Sequence, residues 1–235
     1  MRRNPRIKNT FYSIMSRILT VVGDIHLSPR PMFVNYAPPS YKLKGDDLDE
    51  ITWKTLSGHL EPGDIMLRTY DHYLSSVLIP GYFKHGGIYA GEIQWDWAKL
   101  NSAWICDRPK HTVVHAIAEG VLIENCTNFF RTDHLVVLRP NIPKEKRLQA
   151  AHKALAHIGT KYDFLFESGD EAIYCTELVA LAYEGLFNFN SSIQGWWPMQ
   201  RSATVADDVF TTQNQEIIFH SSETEKFKIW EQRPR

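Results

Sequence analysis

Cys175 stands in the run Ile173-Tyr174-Cys175-Thr176-Glu177-Leu178-Val179. Leu178, Leu181 and Ala182 recur at helical spacing and Gly185 supplies a stop, so the spacing predicts a helix headed by the cysteine. A thiol at a helix N-terminus sits at the positive end of the macrodipole, which favours thiolate and therefore nucleophilic chemistry. The competing reading is a small buried hydrophobe, the commoner fate of a free cysteine; this run alone leaves that reading ahead. Of the ten histidines, His85 and His115 are the two in strand-like settings with small residues alongside. An imidazole beside a thiol can stabilise the nucleophile and later protonate a leaving group, while a third polar residue fixes its tautomer and orientation. A strand histidine taken alone is more often structural.

The elements that must position these side chains follow in order. Glu61-Pro62-Gly63-Asp64 is a turn leading into a strand over 65–68. Lys84-His85-Gly86-Gly87-Ile88-Tyr89-Ala90-Gly91 has strand character in its later part, and its glycines permit close backbone approach. His85 thus sits where a turn enters a strand. Residues 92–110, with Trp95, Trp97 and Trp104, read as an irregular excursion. Strands are predicted over 112–118, 121–124 as a hairpin return, and 134–139. Pro143 opens a helix whose buried stripe is Ala151, Leu155 and Ile158, capped by Gly159. A short helix over 204–209 and a late strand over 217–219 close the chain. Strands before helices suggest an α+β fold, an antiparallel sheet with helices to one side. In such a fold a cysteine at a helix start can meet a histidine on the neighbouring sheet, as acyl transfer requires.

With 235 residues, 43% hydrophobic and 23% charged, the chain is an ordinary globular one, large enough for a sizeable core. Lys plus Arg is 26 and Asp plus Glu is 27, so no overall charge recruits nucleic acid. Cys106, Cys126 and Cys175 form no zinc-ligand spacing, and their odd number does not make a complete disulfide framework. One reactive thiol in a reducing compartment fits, with one disulfide plus one free thiol as the alternative.

The chain is expected to divide into an N-terminal extension, 1–45, and a folded domain, 46–235, the candidate catalytic one. Within the extension, Phe11, Ile14, Met15, Ile18, Leu19 and Val22 predict a basic-flanked amphipathic helix over 10–22, and 28–44 is a proline-rich connection expected to run extended. Such a helix either packs on the domain or a second subunit, or lies on an anionic membrane surface. It is too short to span a bilayer at ~20 residues and has no cleavage site of the export kind. A cytoplasmic protein, peripheral to membrane at most, is the expectation, with its number of subunits left open.

Four blocks together resemble a known family, the circularly permuted NlpC-type papain-like hydrolases of the YiiX-like group, related to the lecithin retinol acyltransferase family. They are 60–65, His85-Gly86-Gly87-Ile88-Tyr89-Ala90-Gly91, Val113-Val114-His115-Ala116 and Tyr174-Cys175-Thr176-Glu177-Leu178-Val179. The histidine precedes the cysteine, as the permuted group requires. The resemblance implies Cys175 as nucleophile, His85 as general base and acid, and His115 in the third, orienting position. YiiX-like proteins often carry an acidic residue at that third position, where the acyltransferase relatives have histidine, so Glu119 is the alternative orienting residue. Similarity of Gly159-Thr160-Lys161-Tyr162 to the stretch upstream of the cysteine implies that Tyr162 lines an oxyanion site beside the Cys175 N–H, its alternative being an aromatic core position. Glu177 reads as structural, an anion in the first turn of the helix.

The implied activity is hydrolysis of a peptide-type or cell-wall amide through a thioester, with no metal or organic cofactor. Lipid acyl hydrolysis or transfer at a membrane surface is the alternative, for which Tyr82, Phe83, Trp196 and Trp197 could wall a greasy site. A non-catalytic binding module retaining the fold is the third reading.

Overall fold

The computed structural model describes residues 25–27, 34–36, 56–69, 79, 81–92, 111–130, 132–164, 171–194 and 201–221. The expected amphipathic helix at 10–22, the excursion at 93–110 and the aromatic pair Trp196-Trp197 lie outside them. Ten strands and four helices are described, in chain order β1 (Ile25–Leu27), β2 (Val34–Tyr36), β3 (Ile65–Thr69), β4 (His85–Gly91), β5 (Thr112–Ile117), β6 (Gly120–Asn125), α1 (Cys126–Phe129), β7 (His134–Pro140), α2 (Lys144–Ala156), α3 (Cys175–Tyr183), β8 (Ser192–Gln194), β9 (Arg201–Ala203), α4 (Ala206–Thr211) and β10 (Gln215–His220).

Six strands form one sheet in the order β10-β7-β3-β4-β5-β6, antiparallel at every pairing. The expected proline-rich run at 28–44 is not wholly a plain connection, because β2 within it pairs antiparallel with β1. The β8–β9 hairpin and α1 carry too few residues for a periodic signal and were not anticipated.

Side-chain alternation divides the sheet into two faces. One face, with Ile65, Leu67, Ile88, Ala90, Val114, Ala116, Val136 and Leu138, packs against Ala150, Ala151, Ala154 and Leu155 of α2 and Leu178, Val179 and Ala182 of α3. Both long helices therefore lie on the same side. The other face, with Met66, Tyr89, Val113, Leu135 and Val137, is covered by Cys126, Phe129 and Phe130 at and after α1.

Helix α3 begins at the cysteine because Glu177 accepts a hydrogen bond from the N–H of Tyr174 at 3.3 Å, satisfying one of the donors that a helix start leaves open. Its far end is held by the Tyr183 hydroxyl, which donates to the Gly63 carbonyl. The segment leading into β4 is fixed by α4. Buried Asp207 accepts from the N–H groups of Tyr82 at 2.8 Å and Phe83 at 2.9 Å. Gly81, at φ +93°, makes room for that carboxylate. Among the described residues, no helix is long and apolar enough to cross a membrane.

Candidate active site

The alternation that sorts the core also sorts the polar residues. On β3 Met66 and Arg68 share a face, on β4 His85, Gly87 and Tyr89, on β5 Val113 and His115, and on β6 Leu122 and Glu124. These are the residues turned away from α2 and α3. Register carries the row across: Arg68 pairs with His85, Gly87 with His115, and Val113 with Glu124. Gly87 is small by necessity, since a Cβ there would lie 2.7 Å from Val113 Cγ1 and 3.1 Å from His115 Cβ. The outcome is a polar row of buried Arg68 and His115 with half-buried His85 and Glu124, and the ring of Phe129 lies against Arg68 and both histidines.

Within the row, His85 Nε2 and His115 Nδ1 are hydrogen-bonded at 2.8 Å, their rings meeting edge to face. His115 Nε2 lies 3.3 Å from Glu124 Oε2, and Arg68 reaches the same oxygen at 3.5 Å. Arg68 also donates to the Phe129 carbonyl at 3.1 Å, its guanidinium 4.0 Å from the ring centre. Burial, reinforced by the Arg68 charge, holds both imidazoles well below their usual range.

Cys175 comes from the other side. Gly86, one residue after His85, lacks the side chain that would obstruct α3, and its N–H faces the Cys175 sulfur. Cys175 therefore meets β4 at the residue that follows His85. Further donors around the sulfur are the Cys175 and Thr176 N–H groups and the Thr176 hydroxyl. Each favours thiolate, yet burial outweighs them and pushes the thiol up. The helix-start argument read from the sequence thus has the right sign for its own contribution and the wrong sign for the sum. At neutral pH both shifts favour an uncharged thiol and uncharged imidazoles.

Tyr162 is brought to the thiol as well, with its hydroxyl in hydrogen-bonding reach of Cys175, and burial pushes that hydroxyl well above its usual range. Glu119 is not brought in. The hairpin register pairs Ile117 with Gly120, which leaves 118 and 119 as the two-residue turn and Glu119 exposed at its tip. The carboxylate beside His115 is instead Glu124, which the sequence reading passed over. Its signal was the hairpin itself: a return strand entered through Glu119-Gly120 puts Glu124 diagonal to His115 on the same face. Phe83 does not wall a site, being 1% exposed and packed on Phe210 in the core.

No curated protein matches the chain. Among solved structures it is similar to a "metalloprotein yiiX from Escherichia coli O157:H7, DUF1105", at 16% identity and a TM-score of 0.54, over 68% of this chain and 97% of that one. At that identity the likeness bears on the fold. A family model described as "Permuted papain-like amidase enzyme, YaeF/YiiX, C92 family" matches residues 59–215, a span that holds His85, His115, Glu124, Tyr162 and Cys175. The chain belongs to this family of permuted papain-like amidase enzymes.

Proposed function

We propose that the protein is a cysteine-dependent amide hydrolase of NlpC-type arrangement, with Cys175 as nucleophile, His85 as general base and acid, His115 as its orienting partner and Tyr162 as an oxyanion donor. One observation carries the reading: a thiol at the start of α3, flanked by a tyrosine hydroxyl and several N–H groups, meets β4 at the residue that follows His85, which is itself hydrogen-bonded to a second histidine.

The neutral resting site dictates the order of events. The Cys175 S–H proton passes to His85 as the sulfur–carbon bond forms, so charge is created only with substrate in place. The carbonyl oxygen becomes an oxyanion, which the Cys175 N–H and the Tyr162 hydroxyl can stabilise. Collapse breaks the carbon–nitrogen bond, His85 returns its proton to the departing amine, and a thioester remains. Water, deprotonated by His85, then releases the acid and regenerates the thiol.

The solved relative is named a metalloprotein, which raises the question of a metal here. Among the described residues no group of three His, Cys, Asp or Glu side chains is placed to hold an ion, and no step above runs through one.

The test is a panel of N-acyl amino acids, short peptides, cell-wall peptides and acyl lipid esters, assayed with wild type, Cys175→Ala and His85→Ala. Hydroxylamine trapping of the acyl-enzyme accompanies the assay. Turnover of an amide with a trappable thioester, lost in Cys175→Ala, is the expected result. Full turnover by Cys175→Ala would sink the nucleophile assignment, and preference for lipid esters would move the substrate class to acyl lipids.

A further inference from the structure

We propose that Glu124 sets the tautomers of both imidazoles and so decides which nitrogen of His85 is the base; this rests on the reading of His85 as the base of the site. In the bond between His85 Nε2 and His115 Nδ1, one nitrogen donates and the other accepts. If His115 donated from Nδ1, its Nε2 would carry a lone pair turned toward the Glu124 carboxylate, two electron-rich atoms 3.3 Å apart in a buried place. With the proton on Nε2 instead, a positive N–H faces the carboxylate. The contact is at ion-pair range and is not aligned as a hydrogen bond, so it acts through charge.

The remainder follows by elimination. His115 Nδ1 becomes the acceptor, His85 Nε2 the donor, and the one lone pair left in the pair of rings is on His85 Nδ1. That atom takes the thiol proton. Arg68 lies 3.5 Å from the same carboxylate oxygen, and Phe129 fixes the guanidinium through its carbonyl and its ring. Among the described residues, the groups around His115 are His85 from β4, Arg68 from β3, Glu124 from β6 and the Phe129 ring from α1. Glu124 is therefore a positioning residue, acting on substrate only through the two imidazoles.

The test is two-bond ¹H–¹⁵N NMR on the full chain with ¹⁵N-labelled histidine at neutral pH, which distinguishes Nε2–H from Nδ1–H rings. In wild type both His85 and His115 are expected as Nε2–H. In Glu124→Gln the amide can offer its oxygen or its NH₂ to His115, so the preference relaxes to a mixture. Acylation of Cys175 by p-nitrophenyl acetate is then expected to fall by roughly 10–100-fold. Nδ1–H on His115 in wild type, or unchanged tautomers in folded Glu124→Gln, overturns the proposal. The wild-type spectrum alone can overturn it, so the question stays decidable even if the variant does not fold. A wild-type protein that p-nitrophenyl acetate does not acylate would count against Cys175 as nucleophile, while the spectrum would still decide the role of Glu124.

Discussion

A Cβ built on Gly86 would stand 3.2 Å from the Thr176 methyl, so the residue after His85 and the residue after Cys175 touch with no room for a side chain. Leu67 closes the same space at 3.1 Å. Gly86→Ala therefore requires Leu67 on β3 or Thr176 on α3 to give by a few tenths of an ångström. Overpacking of this kind costs about 1–3 kcal/mol of stability, and displacement of reacting groups costs up to ~10²-fold in rate for an ångström of misplacement. Amide turnover is expected to fall far more than the urea midpoint. Equal turnover in Gly86→Ala would mean that the thiol does not work at this strand.

The charge state of the thiol gives a second expectation. Burial raises the Cys175 pKa and lowers that of His85 well below its usual value, so between those two values the resting pair is uncharged. Thiolate accumulates only as pH rises past the ordinary thiol value of ~8.5. The rate of Cys175 alkylation by iodoacetamide, mapped by peptide mass, should accordingly climb on the alkaline side. An inflection below neutral pH would establish a preformed thiolate–imidazolium pair and overturn the neutral resting site.

Tyr162 offers a milder lesion than loss of the nucleophile. Tyr162→Phe keeps the ring against Phe164 and removes the hydroxyl that reaches the sulfur. Removing one oxyanion donor lowers turnover by on the order of 10²-fold. The loss should fall on kcat and leave KM nearly unchanged. A variant with wild-type kcat would return Tyr162 to a packing role.

Asp207 is expected to act on the site from a distance. Its carboxylate takes two successive N–H groups of the segment that delivers His85. Asp207→Asn turns one of those acceptors into a donor facing a donor, and a buried group left unsatisfied costs about 1–3 kcal/mol. Gly81→Ala should mimic it, because an added Cβ would fall 2.3 Å from the Asp207 carboxylate at a backbone angle that disfavours side chains. Both are read as a lowered urea midpoint with the His85–His115 bond loosened. A midpoint unchanged in both would show that the anchor is dispensable.

How far the site was legible follows from what each residue contributes locally. His85 and Cys175 were legible because each marks a boundary, a turn becoming a strand and a loop becoming a helix, and glycines or periodic apolar residues surround them. The six strands of the main sheet were legible to within about two residues for the same reason. Glu124 and Arg68 were not. A charged residue alternating with apolar ones on a strand reads as the solvated face of a sheet, and only the cover provided by Phe129 makes that face an interior. The charge on the thiol was hidden in the same way: the dipole at a helix start can be read from sequence, whereas burial depends on what folds over it.

The sheet order β10-β7-β3-β4-β5-β6 has a consequence for the protein while it is being made. Synthesis runs from the N-terminus, and domains fold as their pieces emerge. Both histidines, with Arg68 and Glu124, leave the ribosome well before Cys175, and Asp207 and β10 come later still. On the proposed roles, a chain that stops short of Cys175 carries the row that would handle the proton and no sulfur for it to activate.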